Sequence, residues 1–475
     1  MGAIFWRRAR LRTLALFILL FGTCLLLNSV YHDGIQKLSF EWPLRKEEAF
    51  FLKKNRLDCP ALLKSNDRPK NRSQVGEEIG ERKANSQYKI WEVVKECQQV
   101  RQRYFYSRLP MSEEEAKFPL AYVILVDGHL ELIEMLFNAI YAPQNYYCFH
   151  IDFKAHFMVH DFMNRLTKCF DPHHVFVADQ SVPIAATSVS ILYAQRACLL
   201  KLSQMAKRAG DRQWKYALTI EGTDFPLRTN REIVEILKMH EGANDVELVE
   251  PLAYRYQKRH DGVTDEWGQQ VDMEETTVPY LPPPLPNLTI YKGSVASALS
   301  HSFVDFLLND DASIKILNWL AKTYMPSELF LSTLNHNDFL KASGGYPGKC
   351  LGKKGLKSWI TRFTVWNTYT NFRCHGQWEK GKCIFGVHDL PILDQRLELF
   401  AHSFDLQVST GVVECLHERL HARTYKRASQ VENFLEFRDY YGNLSAVQYE
   451  IWKKGSNSEG ITGKFVCVTC DDCAH

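Results

Sequence analysis

Apolar and polar positions are patterned most clearly between Phe118 and Asp152, FPLAYVILVDGHLELIEMLFNAIYAPQNYYCFHID. Pro119–Val126 is an unbroken apolar run with β-branched residues, the composition of a strand buried on both faces. Ile133, Leu136, Phe137 and Ile140 then recur at helical spacing, and Pro143-Gln144-Asn145 ends that helix. Tyr146–Asp152 predicts a second strand, closing on an acid. In open α/β sheets ligands bind beyond the carboxyl ends of the strands, where Val126-Asp127 and Asp152 would lie. Asp152 suits two roles equally: a ligand for the ribose or base of a nucleotide, or the start of an ordinary turn.

The alternation continues downstream. A helical stretch at Phe157–Cys169 leads to a strand at His174–Ala178, and a long helix at Ser188–Arg208 leads to a strand at Trp214–Ile220. Glu221–Leu227 reads as a turn launching a helix from Thr229 to His240. Strands and helices alternating at this spacing predict an α/β fold with a mostly parallel sheet. Asp245–Glu250 predicts a further strand carrying Glu247 and Glu250, with Arg255, Lys258 and Arg259 soon after. Tyr280–Pro286 (YLPPPLP) is a connection, because a central strand has no room for its prolines. Helices are expected again near Ser302–Asp310 and Ile314–Thr323, and a helical pattern covers Tyr88–Leu109 upstream.

The amino terminus sets the compartment. Arg7, Arg8, Arg10 and Arg12 precede Thr13–Tyr31, an almost uninterrupted apolar run. About 20 apolar residues span a bilayer, and a basic flank stays cytosolic. A cleaved signal peptide has a shorter apolar core and a small-residue cleavage site, so the pattern favours an uncleaved anchor. The expected organisation is a cytoplasmic tail (1–12), a transmembrane signal anchor (13–31), a polar stem (32–87), a lumenal catalytic domain (88–450) and a cysteine-containing tail (451–475). Twelve of the 13 cysteines follow the apolar run, which suits an oxidising lumen. Sequons at Asn71, Asn287 and Asn443 are available for glycosylation there. A net charge of +3 gives no reason to expect nucleic-acid binding.

Two stretches offer chemistry. In Tyr324–Phe330 (YMPSELF) a single carboxylate, Glu328, stands at a helix start, where the dipole favours negative charge. Acids in a first turn are common and mostly structural, so the position alone favours capping over catalysis. In Lys380–Gly386 (KGKCIFG) two lysines lie beside Cys383, with Cys374 just upstream, a rigid holder for cations or an ordinary solvated turn. No strand end carries the Asp-x-Asp that holds Mn²⁺ in many glycosyltransferases. Three closely spaced cysteines at Cys467, Cys470 and Cys473 suit disulfides better than zinc in a lumen.

Several blocks in order carry a family likeness: AYVILVD…AIYAPQNYYCFHID, WKYALTIEGTDFPLRTNREIV, PSELFLSTL and KCIFGVHDL…LFAHSFD. From Cys59 to His421 the chain resembles the core 2 and I-branching β-1,6-N-acetylglucosaminyltransferases of glycosyltransferase family 14. The resemblance implies a GT-A-like, Rossmann-like nucleotide-sugar fold and an inverting, metal-independent transfer from a UDP-sugar, with no cofactor. Its implied catalytic base is Glu328. Its implied UDP-sugar contacts fall on Leu125, Asp152 and Lys380, and its acceptor contacts on Glu247, Arg255, Lys258 and Trp366. It also implies the pairs Cys59–Cys415, Cys97–Cys169, Cys148–Cys198 and Cys374–Cys383.

Departures cluster at the diphosphate. The first cation is Lys380 where the best-known members have arginine, and the second falls on Ser403, leaving Lys382 or His402 to supply the missing charge. The expected function is addition of a β-1,6-linked sugar, GlcNAc from UDP-GlcNAc first among donors, to O-glycan acceptors on glycoproteins at the Golgi membrane. A UDP-glucose or UDP-xylose enzyme, a glycan-binding protein without turnover, and a homodimer stay open at this stage.

Overall fold

The computed structural model describes residues 57–64, 84–210, 213–250, 254–257, 259–264, 270–275, 282–348, 359–368, 372–425, 437–459 and 465. The apolar run at 13–31, Asn71, Lys258 and the terminal cysteines lie outside these residues. Among the described residues no helix is long and apolar enough to cross a membrane.

The strands in chain order are β1 (Leu120–Val126), β2 (Tyr146–Ile151), β3 (Val175–Val177), β4 (Tyr216–Glu221), β5 (Asp224–Pro226) and β6 (His260–Thr264). They continue as β7 (Gln270–Glu275), β8 (Ser297–Ser300), β9 (Arg362–Thr364), β10 (Gln377–Glu379), β11 (Lys382–Ile384) and β12 (Phe400–His402). The main sheet has the order β3-β2-β1-β4-β8. β1 pairs in parallel with both β2 and β4, and only the edge strand β8 runs antiparallel.

Pleat alternation on β1 divides the core. Leu120, Tyr122, Ile124 and Val126 enter one apolar cluster with the Leu130–Ile140 helix, and Ala121 and Val123 enter the other, with the Ser190–Ala209 helix. Both faces of β1 are therefore covered, as its apolar run predicts. Cys148–Cys198 fastens β2 to the longer helix. Register sets Leu125 opposite His150 on one side and Glu221 on the other, so these three residues share one level at the carboxyl ends.

A small sheet, β5-β12-β9, lies beyond those ends, and β10–β11 forms a hairpin beside it. Cys374–Cys383 closes the hairpin, and Cys59–Cys415 ties the Cys59–Lys64 helix to the Thr410–Tyr425 helix. With Cys97–Cys169, all four bridges implied by the resemblance are formed.

Three local expectations differ: the Glu221–Leu227 stretch, expected as a turn, contains the short strand β5, which pairs antiparallel with β12. Asp245–Glu250 is no strand; it makes isolated bridges at Asp245–Ala298 and Val249–Lys292. The Asp245 carboxylate instead receives Ile360 N–H (3.0 Å) and the Thr361 hydroxyl (2.5 Å), pinning the arm that becomes β9. The Tyr88–Leu109 pattern is two helices, Gln87–Val93 and Cys97–Arg103, because the Gln99 side chain accepts from Lys95 and Glu96 N–H and starts the second one.

Candidate active site

Leu125, His150 and Glu221 share one level where β1, β2 and β4 end, and the expected site residues lie around them. Leu125 is half-buried, and its carbonyl accepts Gly222 N–H at 2.8 Å. Asp152 is nearly buried, and its Oδ1 accepts Lys154 N–H (2.9 Å) and Ile184 N–H (3.2 Å). The turn role is thus realised, and the same oxygen also holds the 181–184 loop against β2. Ser181 Oγ to Ile151 O (2.7 Å) and Val182 N–H to His150 Nε2 (3.0 Å) complete that attachment.

A charged network crosses the end of β4. Arg362, on β9, donates to Glu221 at 2.8 Å and lies 3.6 Å from Asp224. Burial alone would raise the Glu221 carboxyl; Arg362 first, with the Lys382 ammonium, outweighs it and holds Glu221 well below the usual carboxylate range. Asp224 is fully buried, accepts Glu221 N–H (2.8 Å) and faces His402 Nδ1 (2.7 Å). His402 Nε2 faces Lys382 Nζ at 2.9 Å. An ammonium only donates, so Nε2 must accept and the ring proton must sit on Nδ1, donated to Asp224.

Glu328 closes a 3₁₀ turn, Pro326–Glu328, that follows Met325 in the left-handed region at φ 52°. Its carboxylate lies 3.5 Å from Lys292 Nζ, and its carbonyl accepts Gly293 N–H at 2.8 Å. Burial raises the Glu247 carboxyl; Lys292 and Arg362 draw it down and Glu328 pushes it up, so all four groups share one field. The segment Lys292-Gly293-Ser294 threads between them. A Cβ at Gly293 would sit 2.2 Å from Ser332 Oγ and 2.3 Å from the Glu247 carbonyl, so only glycine lets it pass. Ser294 Oγ then receives Arg362 Nη2 at 3.2 Å, joining the two carboxylate groups through one guanidinium.

The remaining expected residues lie around this centre. Lys380 is exposed at the hairpin tip with φ 47°, followed by Gly381 at φ 79°, which forms the two-residue turn between β10 and β11. Trp366 is 40% exposed and bridges Lys382 across the backbone. Arg255 lies in the Tyr254–Gln257 helix, and its side chain is outside the described residues. Asn287 is exposed, and Asn443 is half-buried at the end of the Arg438–Gly442 helix.

Residues 120–393 match the family model described as Core-2/I-Branching enzyme. The chain belongs to that family. A Mus musculus N-acetyllactosaminide beta-1,6-N-acetylglucosaminyl-transferase is 33% identical over 332 residues, covering 70% of this chain and 80% of its own. The Homo sapiens protein of that name is 34% identical over 339 residues, covering 70% and 79%. An Ovis aries beta-1,3-galactosyl-O-glycosyl-glycoprotein beta-1,6-N-acetylglucosaminyltransferase 3 is 32% identical over 339 residues, covering 69% and 73%. This Core-2/I-branching enzyme is a glycosyltransferase.

In the transferase, four residues on these paths escaped sequence reasoning. Glu221 and Asp224 follow a buried strand, so the strand-end rule that singled out Asp152 applied to them too. Lys292 and Arg362 carried no local signal, since only the folded chain brings them to Glu328 and Glu221. Cys374, Cys383 and Asp389 also converge, but both sulfurs are bonded to each other, and Asp389 accepts Gly386 N–H at 2.9 Å. That trio offers a cation no thiolate.

Proposed function

We propose that this transferase moves a sugar from a UDP-sugar, UDP-GlcNAc foremost, to the C6 hydroxyl of an O-glycan acceptor, with inversion and without a metal. The observation that carries this reading is the single carboxylate Glu328, set on a tight turn beside Lys292 and sharing a field with Glu247. Glu328 takes the proton from the attacking hydroxyl as the new bond forms at the anomeric carbon. The glycosidic oxygen leaves with the bond pair on UDP, which needs no protonating acid.

The donor binds at Leu125 and Asp152, with the diphosphate toward Lys380 and Lys382. Fixed cations stabilise the charge that grows on the leaving diphosphate. A guanidinium already engages both acids at the end of β4, which supports a clamp built from side chains. Glu247, Arg255, Lys258 and Trp366 orient the acceptor. The mostly parallel main sheet supports a GT-A-like fold. The apolar run at 13–31 supports a type II anchor in the Golgi membrane with the catalytic part lumenal.

The test is turnover of the full-length protein in detergent with UDP-GlcNAc, UDP-glucose and UDP-xylose, on Gal-GalNAc and N-acetyllactosamine acceptors. Transfer from UDP-GlcNAc giving a β-1,6 linkage is expected. Preference for another donor, or another linkage, would replace the sugar assignment.

A further inference from the structure

Ser403 leaves the donor site one cation short of the resembled pattern, with Lys382 and His402 as rival replacements. The structure shows them in contact, which makes them parts of one device. We propose that His402, clamped by Asp224, is a positioning residue that aims the Lys382 ammonium at the diphosphate of the nucleotide-sugar donor. The inference rests on the donor reading above.

His402 itself is poorly placed to touch a ligand. Its side chain is 3% exposed, its Nδ1 is engaged by Asp224 at 2.7 Å, and its Nε2 by Lys382 at 2.9 Å. Lys382 is half-buried on β11 next to the exposed hairpin tip, so it is the outer end of the chain Asp224–His402–Lys382. The charge logic is specific. A lysine paired with a carboxylate is neutralised at contact, whereas one paired with a neutral imidazole keeps its full charge and has two N–H donors left. Asp224 fixes the tautomer that makes Nε2 an acceptor. Asp224 is in turn held by Glu221 N–H and lies 3.6 Å from Arg362, so the inner end is anchored on two strands.

The ammonium also avoids a conformational cost. A free lysine loses rotamer entropy when it is fixed. Here the ring fixes it before the donor arrives, so the diphosphate meets a preset cation. Lys380, exposed at the tip, has no such brace among the described residues.

Donor affinity of the full-length protein in detergent, titrated with UDP-GlcNAc, tests this. Lys382→Ala is expected to weaken binding about 10-fold, a single decade of affinity. His402→Phe should weaken it by a similar factor and add nothing in the Lys382→Ala background. His402→Gln, whose amide oxygen can accept from Lys382, should recover most of the loss. Additive effects of His402→Phe and Lys382→Ala would overturn the inference.

Failure of the wild type to bind UDP-GlcNAc at all would instead sink the donor reading.

Discussion

At the residue scale, the account places its weight on side chains that meet only in the folded chain. Arg362 is the clearest. Its guanidinium is shared by Glu221, Asp224 and Ser294, and it holds the Glu221 carboxyl down against its burial. Arg362→Met takes the guanidinium from Glu221 and from the buried Asp224, which keeps only His402 and Glu221 N–H; breaking a buried pair typically costs about 3–5 kcal/mol, and the partial exposure of Glu221 reduces that here. A thermal midpoint several degrees lower, with donor affinity reduced, is expected; an unchanged midpoint would show that the network is not a structural hub. Gly293→Ala is the sharper probe of geometry, since the new Cβ would press on the Glu247 carbonyl at 2.3 Å. It should displace Lys292 and the Glu328 turn together and cut turnover more than 10-fold, the effect of misplacing a reacting group by a fraction of an ångström. Turnover within a factor of two of wild type would mean that this strand moves freely. The sequence shows why such residues are hard to foresee: Glu328 and Glu247 came through the family likeness, but Lys292 and Arg362 have unremarkable neighbours and act only across long separations.

At the element scale, the βαβ unit was legible because burial on both faces of β1 demands an unbroken apolar run. The Asp245–Glu250 segment was not. Its alternating acids mimic a strand, and only the demand of the Ile360–Thr361 backbone for an acceptor turns Asp245 away. Asp152 shows a third outcome, a residue whose turn role is visible in its hydrogen bonds and whose ligand role awaits the donor. The β10–β11 hairpin carries the cations and is closed by Cys374–Cys383, separated by 9 residues in sequence. Loop entropy assigns such a bridge about 3 kcal/mol. Cys374→Ser combined with Cys383→Ser should raise the donor KM with little change in acceptor KM, measured under steady-state conditions. A rise in acceptor KM alone would move the hairpin to the other half of the site.

At the scale of the whole molecule, buried histidines set the acid limit. His240 and His336 are almost fully buried, and burial holds both rings down to about 4. Their folded values lie below the unfolded value of about 6.5. Stability is therefore complete above about pH 6.5 and is lost as pH falls through about 4. Asp245 opposes this trend, because burial raises its carboxyl to about 6. Its contribution is present below about pH 4 and disappears as pH rises through 6. His150, His301 and His421 are lowered by burial as well, against raised carboxyls at Glu115, Glu247 and Asp394, so the histidines leave a net loss on acidification. Denaturation followed from pH 7 to 4 should show a falling midpoint that His240→Phe flattens in part; a midpoint rising toward pH 4 would reverse the assignment. The α/β alternation was thus readable from apolar periodicity and the family from ordered blocks, the four bridges were implied only by that family resemblance, and the charge network was not readable.

The central claim is that Glu328 alone supplies the base and side chains alone hold the diphosphate. Its most direct test is transfer of GlcNAc from UDP-GlcNAc to Gal-GalNAc, with EDTA present, by wild type and Glu328→Gln measured side by side. The account predicts wild-type turnover undiminished by EDTA and a loss of at least about 100-fold in Glu328→Gln, the lower end of what general-base catalysis contributes. Turnover abolished by EDTA, or retained in Glu328→Gln, would contradict it.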